Sequence, residues 1–444
     1  MAPRTRIGDP RGPLVHAASG WKREGWKLVA TAAASFLIAV LGLNFVTPER
    51  HIGTAPARLY SIADPQFARV LGTLLGPPIV DGNRVTTLRN GDEIFPPMLA
   101  AIRAAEHSIE FETYVYWSGR IGQDFADAIA ERARAGVAAH VLLDWVGSQR
   151  MDKRALDTMR EAGAKVELYH PLRWYTLARL NNRTHRKLLV VDGRVAFTGG
   201  VGIAQEWTGN AQDTEHWRDT HFRIEGPVVA QMEAAFQDNW IKVTGDVQHG
   251  ERYFPALAPA GDARAQMFLS SPSGGSESME LMYLLAIAAA DTSIRLEAAY
   301  FIPDDLAIGA LLAARARGVD IEIIVPGPHT DAEVTRYASR STWGPLLEAG
   351  VRIYEYQPTV FHCKVLIVDE RLTSVGSTNF DERSFRLNDE ASLNVYDADF
   401  AREQARIFAD DKRASKEYTF ADWKERTWDE RLGTWLAGRF QSQL

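Results

Sequence analysis

Two short stretches carry the same reactive residues at the same spacing. Thr184-His185-Arg186-Lys187-Leu188-Leu189-Val190-Val191-Asp192 and Phe361-His362-Cys363-Lys364-Val365-Leu366-Ile367-Val368-Asp369 both read His-x-Lys-x4-Asp. In each, His and Lys stand two apart and run into a β-branched, apolar segment, the pattern of a buried strand. Residues i and i+2 of a strand share one face, so each stretch offers an imidazole beside an ammonium, with Arg186 and Cys363 turned away. Such a pair suits a phosphate, whose oxygens an ammonium holds as a point charge. Two histidines let one attack phosphorus while the other moves a proton.

The elements that must bring these stretches together are also written twice. Residues 98–117 (MLAAIRAAEHSIEFETYVYW) and 125–144 (FADAIAERARAGVAAHVLLD) are echoed by 281–302 (LMYLLAIAAADTSIRLEAAYFI) and 308–327 (IGALLAARARGVDIEIIVPG). Each copy reads as an alanine-rich helix, a β-branched and aromatic strand, a second helix and another strand. Glu161-Ala162-Gly163 before Val166 recurs as Glu348-Ala349-Gly350 before Val351, and the His-x-Lys strand closes each copy. Strands alternating with helices predict an α/β fold whose sheet is covered on both faces. Two such units predict a pseudo-twofold pair with the site at their seam. The expected divisions are a first repeat over 58–241, a Gly-, Pro- and Ala-rich linker over 242–266, a second repeat over 267–411, and a tail over 412–444.

At equal distances past the two aspartates lie Gly199-Gly200-Val201-Gly202 and Gly376-Ser377-Thr378-Asn379. Glycine admits a close anion, and Ser377 and Asn379 can hydrogen-bond it, so Gly199, Gly200, Ser377 and Asn379 are candidate phosphate-binding residues. From about 58 to 411 the sequence resembles the phospholipase D superfamily, defined by two motifs of this form, and within it the bacterial cardiolipin synthases. The resemblance rests on Arg183-Thr184-His185-Arg186-Lys187, on Trp217-Arg218-Asp219-Thr220-His221 leading to Glu225-Gly226-Pro227, and on Asn379-Phe380-Asp381-Glu382-Arg383-Ser384-Phe385 followed by Asn388-Asp389-Glu390. It implies two phospholipase D-like α/β sandwich units and a two-step reaction without metal or cofactor. Its candidate catalytic residues are His185, Lys187, Asp192, His362, Lys364 and Asp369. By resemblance His185 is the nucleophile and His362 the acid and base, although the symmetry of the sequence leaves the two interchangeable. Asp192 and Asp369 are expected to brace the strand and its turn. A carboxylate is expected behind each histidine, Glu390 in the second repeat and Asp219 in the first. Gly200 and Gly202 stand where Ser377 and Asn379 stand, so the phosphate cradle is expected to be lopsided.

Residues 1–27 are polar and basic, and the uncharged apolar run over 28–46 is close to the length of a membrane-spanning helix. The basic excess before it predicts a cytoplasmic N-terminus and a catalytic part outside a bacterial cell membrane. A cleaved signal peptide fits less well, because the apolar run is too long. The 444 residues are 46% hydrophobic, enough for a large core, and carry a net charge of −7, which argues against a nucleic-acid backbone as partner. A single cysteine excludes a disulfide framework and a cysteine-rich zinc site. His216, Asp219 and His221 could suggest a metal, but roles behind the active site suit them better. Glu112 and Glu297 hold equivalent strand positions and are expected to hydrogen-bond near the seam. The aromatic and basic stretch 171–180 would suit lipid entry or a packed lid. In the tail, Trp428, Leu432, Trp435, Leu436 and Phe440 form an apolar stripe, expected to dock on the domain, the other reading being a helix lying on the bilayer. The resemblance implies a phosphatidyltransferase joining two phosphatidylglycerols. The alternatives are a phospholipase D releasing phosphatidic acid, a nuclease of the superfamily, and a catalytically weak lipid-binding protein.

Overall fold

In the computed structural model, which describes residues 17–43, 52–172, 181–271 and 278–438, the run after each His-x-Lys is a strand buried on both faces. The described residues belong to two bodies. One comprises Met1–Pro48 with Leu172–Asn181, and its helix α1 spans Ala17–Gly42. Within α1, Gly25–Gly42 is long and apolar enough to cross a bilayer. This stretch overlaps the expected span 28–46 over residues 28–42, and residues 44–46 lie outside the described residues.

The other body, Glu49–Pro171 with Asn182–Leu444, holds, among the described residues, a 15-stranded sheet and a separate pair of two short strands. Its first seven strands are β1 (Val80–Arg89), β2 (Ser108–Thr113), β3 (Ala138–Asp144), β4 (Lys165–Tyr169), β5 (Leu188–Val191), β6 (Val195–Gly199) and β7 (Thr220–Glu225). The next are β8 (Ala263–Ser270), β9 (Ser293–Ala298), the short β10 (Phe301–Ile302), β11 (Asp320–Pro326), β12 (Arg352–Tyr356), β13 (Lys364–Val368), β14 (Leu372–Gly376), the short β15 (Phe380–Asp381), β16 (Glu390–Tyr396) and β17 (Ser415–Tyr418). The spatial order is β4-β3-β2-β5-β6-β7-β1, then β8-β16-β14-β13-β9-β11-β12-β17. Seven strands of each half mirror each other, β17 adds an eighth at the edge of the second, and the antiparallel β1–β8 pair joins the halves. In both halves the His-x-Lys strand lies antiparallel between the same two neighbours, β2 and β6 for β5, β9 and β14 for β13.

The alternation along β5 and β13 explains their unbroken hydrophobicity. Leu189 and Val191 enter a core shared with α3 (Asn90–Ala104), α4 (Arg120–Arg134) and α5 (Lys153–Glu161). Leu366 and Val368 enter its counterpart with α7 (Ser278–Ala289), α8 (Asp305–Ala316) and α9 (Glu333–Glu348). Leu188, Val190, Val365 and Ile367 point the other way, into one layer shared by both halves and covered by α6 (Val229–Thr244) and α11 (Ala398–Arg413). A strand buried on two faces favours apolar side chains on both. Truncating Leu366 to Ala would cost about 2–5 kcal/mol.

The ends depart from the expected divisions. The segment before the first strand forms α2 (Pro65–Leu74), which buries Phe67 and Leu71 in the core of the second half although residue 58 is expected to open the first repeat. The stretch 242–266 begins inside α6, which runs to Thr244, and ends inside β8. Beyond the five-residue α10 (Glu382–Arg386) and β17, the tail forms α12 (Phe420–Lys424) and α13 (Trp428–Gly438). Helix α13 docks on α9, but not by its apolar stripe. Thr434 and Ala437 are buried and Gly433 and Gly438 approach Tyr337 and Ser341, while Trp428 and Leu432 are exposed. Small residues let the helix axes come close, and Trp428, Leu432 and Trp435 face out.

Candidate active site

The two motifs meet across the seam through a pair of matching backbone bridges. Thr184, before His185, pairs in parallel with Asp389, before Glu390; Arg218, before Asp219, pairs in parallel with Phe361, before His362. His185 N donates to Asp389 O at 2.9 Å and His362 N donates to Arg218 O at 2.8 Å. Each histidine is thereby laid beside a carboxylate of the other repeat. His185 Nδ1 lies 3.0 and 3.1 Å from the two oxygens of Glu390, and His362 Nδ1 lies 2.8 Å from Asp219 Oδ2. An ionised carboxylate only accepts, so Nδ1 carries the proton and the neutral ring keeps its lone pair on Nε2. The residues turned away from the site fasten the bridges. Arg186 donates to Asp238 at 2.9 Å and lies 3.8 Å from Asp389, and Arg218 grips Asp411 through two bonds of 3.0 and 2.7 Å. Cys363, opposite Arg186 in the duplication, is buried beside Thr220.

The glycine-rich flanks serve the carboxylates. Ser377 Oγ donates to Glu390 Oε2 at 2.5 Å, so its hydroxyl is spent behind His185. Gly200 holds the equivalent place in the first repeat, where any Cβ would collide with both oxygens of Asp219. There the donor is Trp207, whose Nε1 reaches Asp219 Oδ2 at 2.9 Å from a single 3-10 turn, Gln205–Trp207. A Cβ at Gly202 would fall 2.7 Å from Val115, so Val115 occupies the room that a side chain there would need. Of the four candidate phosphate-binding residues only Asn379 lines the cavity at the histidines; Gly199, Gly200 and Ser377 stand behind it. The two repeats thus differ in how they hold a carboxylate.

Asp192 and Asp369 do not line that cavity either. Asp192 accepts backbone N–H bonds from Glu106, His107 and Ser108, and Asp369 from Asp291, Thr292 and Ser293. Both have positive φ, 54° and 53°, which aspartate tolerates, and both tie the turn after the motif strand to the start of its neighbour.

The cavity measures about 310 Å3. His185, Lys187, His362 and Asn379 line it with Arg183, Arg383, Asp331 and Asp381, and aromatic walls come from Tyr114, Trp117, Trp207, Trp217 and Tyr300. Lys187 Nζ donates to His185 O and Lys364 Nζ to His362 O, each at 2.7 Å. Lys364 Nζ also lies 3.1 and 3.2 Å from the ring nitrogens of His362. Burial, opposed by Glu390, pushes His185 down to about 4, and burial takes Lys187 to about 7. Burial and the Lys364 charge lower His362, against the pull of Asp219. Burial alone would raise Glu390 and Asp219, but the histidine beside each brings it below the ordinary carboxylate range. Burial and these pairings favour neutral imidazoles against ionised carboxylates.

The other singled-out residues sit further back. His216 Nδ1 is 2.7 Å from Asp213, and His221 is buried with its Nδ1 unpartnered among the described residues. Glu112 accepts from Thr184 and Asn239, and burial raises it to about 7. Burial likewise raises Glu297 to about 8. Residues 173–180 of the aromatic and basic stretch lie outside the described residues. Sequence reasoning missed Trp207, Tyr114, Tyr300 and Asp331, whose hydroxyl–carboxylate bond joins Tyr300 to Asp331 at 2.5 Å. Tyr114 and Tyr300 lay within the repeated strands, but nothing marked Trp207 or Asp331.

Paired imidazoles and ammoniums at the seam of a duplicated sheet define a protein of the two-motif phosphate-handling class. Over residues 98–240 and 283–412 the chain matches the family described as cardiolipin synthase, PLD-like domain. It is 36% identical over 334 residues to cardiolipin synthase 2 of Bacillus cereus, covering 74% of this chain and 65% of that one. It is 32% identical over 366 residues to cardiolipin synthase 1 of Bacillus anthracis, covering 80% and 72%. A phosphatidylserine synthase from Haemophilus influenzae shares the fold at a TM-score of 0.64 and 15% identity, covering 85% of this chain and 99% of that one. The chain belongs to the phospholipase D superfamily, in its cardiolipin synthase, PLD-like domain family. It spans 65% of the length of the Bacillus cereus relative.

Proposed function

We propose that the protein is a phosphatidyltransferase that joins two phosphatidylglycerols and releases glycerol. The observation that carries this reading is the crossed pairing, which presents two imidazoles, each backed by a carboxylate, to one cavity with two lysines beside them. His185 Nε2 attacks phosphorus; the bond from phosphorus to the glycerol oxygen breaks, and His362 protonates that oxygen. The hydroxyl of a second phosphatidylglycerol then attacks, the phosphorus–nitrogen bond breaks, and the hydroxyl proton passes to His362. Lys187 and Lys364 stabilise the charge on the phosphoryl oxygens in both steps. The anionic diester draws Lys364 off the His362 ring, which lets that ring take up a proton.

The roles are supported by an asymmetry. Glu390 grips Nδ1 of His185 with both oxygens, whereas Lys364 Nζ lies within 3.2 Å of both ring nitrogens of His362. The aromatic walls offer an apolar surface that suits a lipid alcohol as acceptor. Helix α1 anchors the chain in the cytoplasmic membrane with its N-terminus inside, since Lys22, Arg23 and Lys27 precede the apolar run. The test is expression in a cardiolipin-deficient bacterium with lipid mass spectrometry. Cardiolipin should appear with wild type and not with His185→Ala. Phosphatidic acid without cardiolipin would make the protein a hydrolase. A C-terminal reporter active only in the cytoplasm would reverse the topology.

A further inference from the structure

A second cavity, of about 540 Å3, lies where residues 62–64, α2 and the turn at 78–79 meet β8, the β13–β14 turn and the end of β16. It is larger than the cavity at the histidines and shares no lining residue with it. Its size is that of a ligand site, roughly 300–1,000 Å3. Three guanidiniums line it, from Arg69, Arg264 and Arg371, against the single carboxylate of Asp64. That carboxylate is committed elsewhere: it caps α2 by accepting from Gln66 N at 2.8 Å. Arg264 is shared with the exposed Asp81 at 3.0 Å. Among the described residues Arg69 and Arg371 enter no ion pair. The wall between the arginines is apolar, formed by Ile62, Ile79 and Tyr396. The Tyr396 hydroxyl is buried with no hydrogen-bond partner among the described residues.

A purely structural role explains this arrangement poorly. Cations gathered round one cavity repel each other, and a buried hydroxyl without a partner is costly. An anion between the arginines answers the gathered charge. We infer that this cavity is a second binding site, separate from the reacting one, for a phosphate-bearing ligand with an apolar body. Arg69, Arg264 and Arg371 hold the phosphate, and the body lies on Ile62 and Ile79. The planar donor fork of arginine matches phosphate oxygens in pairs, which is why arginine suits this task better than lysine. The headgroup of an anionic phospholipid and a soluble phosphate ester share this chemistry. The site does not depend on the transferase reading.

The test uses the full-length protein in detergent and counts bound ligand by native mass spectrometry, with dihexanoylphosphatidic acid and separately with glycerol 3-phosphate. Wild type should bind two equivalents of at least one of these ligands. The double variant Arg69→Gln/Arg371→Gln, altered at two exposed side chains, should lose one of them, its affinity falling about tenfold or more. Its basal turnover and melting temperature should stay those of wild type. Lys187→Gln/Lys364→Gln should lose the other equivalent. A tenfold preference for the lipid, on the scale of one such step in affinity, assigns the site to a headgroup; equal binding of glycerol 3-phosphate assigns it to soluble esters. A single equivalent in wild type with both ligands, or a second one indifferent to the arginine changes, overturns the site even if transfer activity is intact.

Discussion

Glu390→Gln isolates what the crossed carboxylate contributes. Glu390 is fully buried, accepts from His185 Nδ1 through both oxygens, and is held in turn by Ser377 Oγ at 2.5 Å. Glutamine keeps the shape and can still accept from Ser377, so the fold should survive with a melting temperature close to that of wild type. What disappears is the negative charge beside the ring, at the moment His185 becomes cationic by bonding to phosphorus. Unpairing one partner of a buried charged pair costs about 3–5 kcal/mol. Applied to the barrier, that is a fall in kcat of roughly 10²–10⁴-fold. KM should change little, because Glu390 does not line the cavity. The assay is steady-state formation of cardiolipin from phosphatidylglycerol in mixed micelles, beside a melting curve for each variant. Asp219→Asn should act similarly through His362, and the double variant should lose much less than the product of the two losses, since both carboxylates serve one reaction. A folded Glu390→Gln enzyme with kcat within about threefold of wild type, less than 1 kcal/mol on the barrier, would refute the reasoning.

Three further outcomes follow from the same geometry. In kcat/KM against pH, activity should rise with pH through about 4, as His185 loses its proton, and fall again as His362, held below the ordinary histidine value by burial and Lys364, loses the proton it must donate. An acid limb at the ordinary histidine value of about 6.5 would contradict the buried, neutral imidazole. Gly200→Ser installs the residue that the other repeat carries at Ser377, yet its Cβ meets Asp219, so kcat should fall about 10²-fold by displacement of the carboxylate from His362; full activity would show that Asp219 is free to move. Asp192→Ala strips three backbone N–H groups of their acceptor and should cost about 2–4 kcal/mol in urea unfolding, with KM unchanged. An unchanged urea midpoint would show that the turn holds without its aspartate.

The sequence revealed most where one residue type at one spacing has one physical meaning. The apolar runs after His185 and His362 could only be strands buried on both faces, and the duplicated helices and strands around them foretold a mirrored sheet. Asp219 and Glu390 were legible as the carboxylates to look for, repeat by repeat. Their crossing was not, because it depends on contacts spanning 205 residues for His185 and 143 for His362. Ser377 and Gly200 were misread for a related reason: a hydroxyl near a phosphate site looks like a phosphate ligand until its acceptor, Glu390, is placed. The tail shows the limit of helical spacing, which finds the stripe at Trp428 and Leu432 but cannot say that Gly433 and Ala437 make the closer fit to α9. Arg69, Arg264 and Arg371 lie on three separate elements, and nothing in their spacing announces a common cavity.

The central claim is that His185 carries the phosphatidyl group between donor and acceptor. The most direct test is to mix the enzyme with phosphatidylglycerol, quench it in alkali within a turnover, and map the adduct by peptide mass spectrometry. The account requires a phosphatidyl adduct on His185, absent from His185→Ala and retained when His362→Asn slows its discharge. An adduct confined to His362, or steady turnover with no histidine adduct at any quench time, would contradict it.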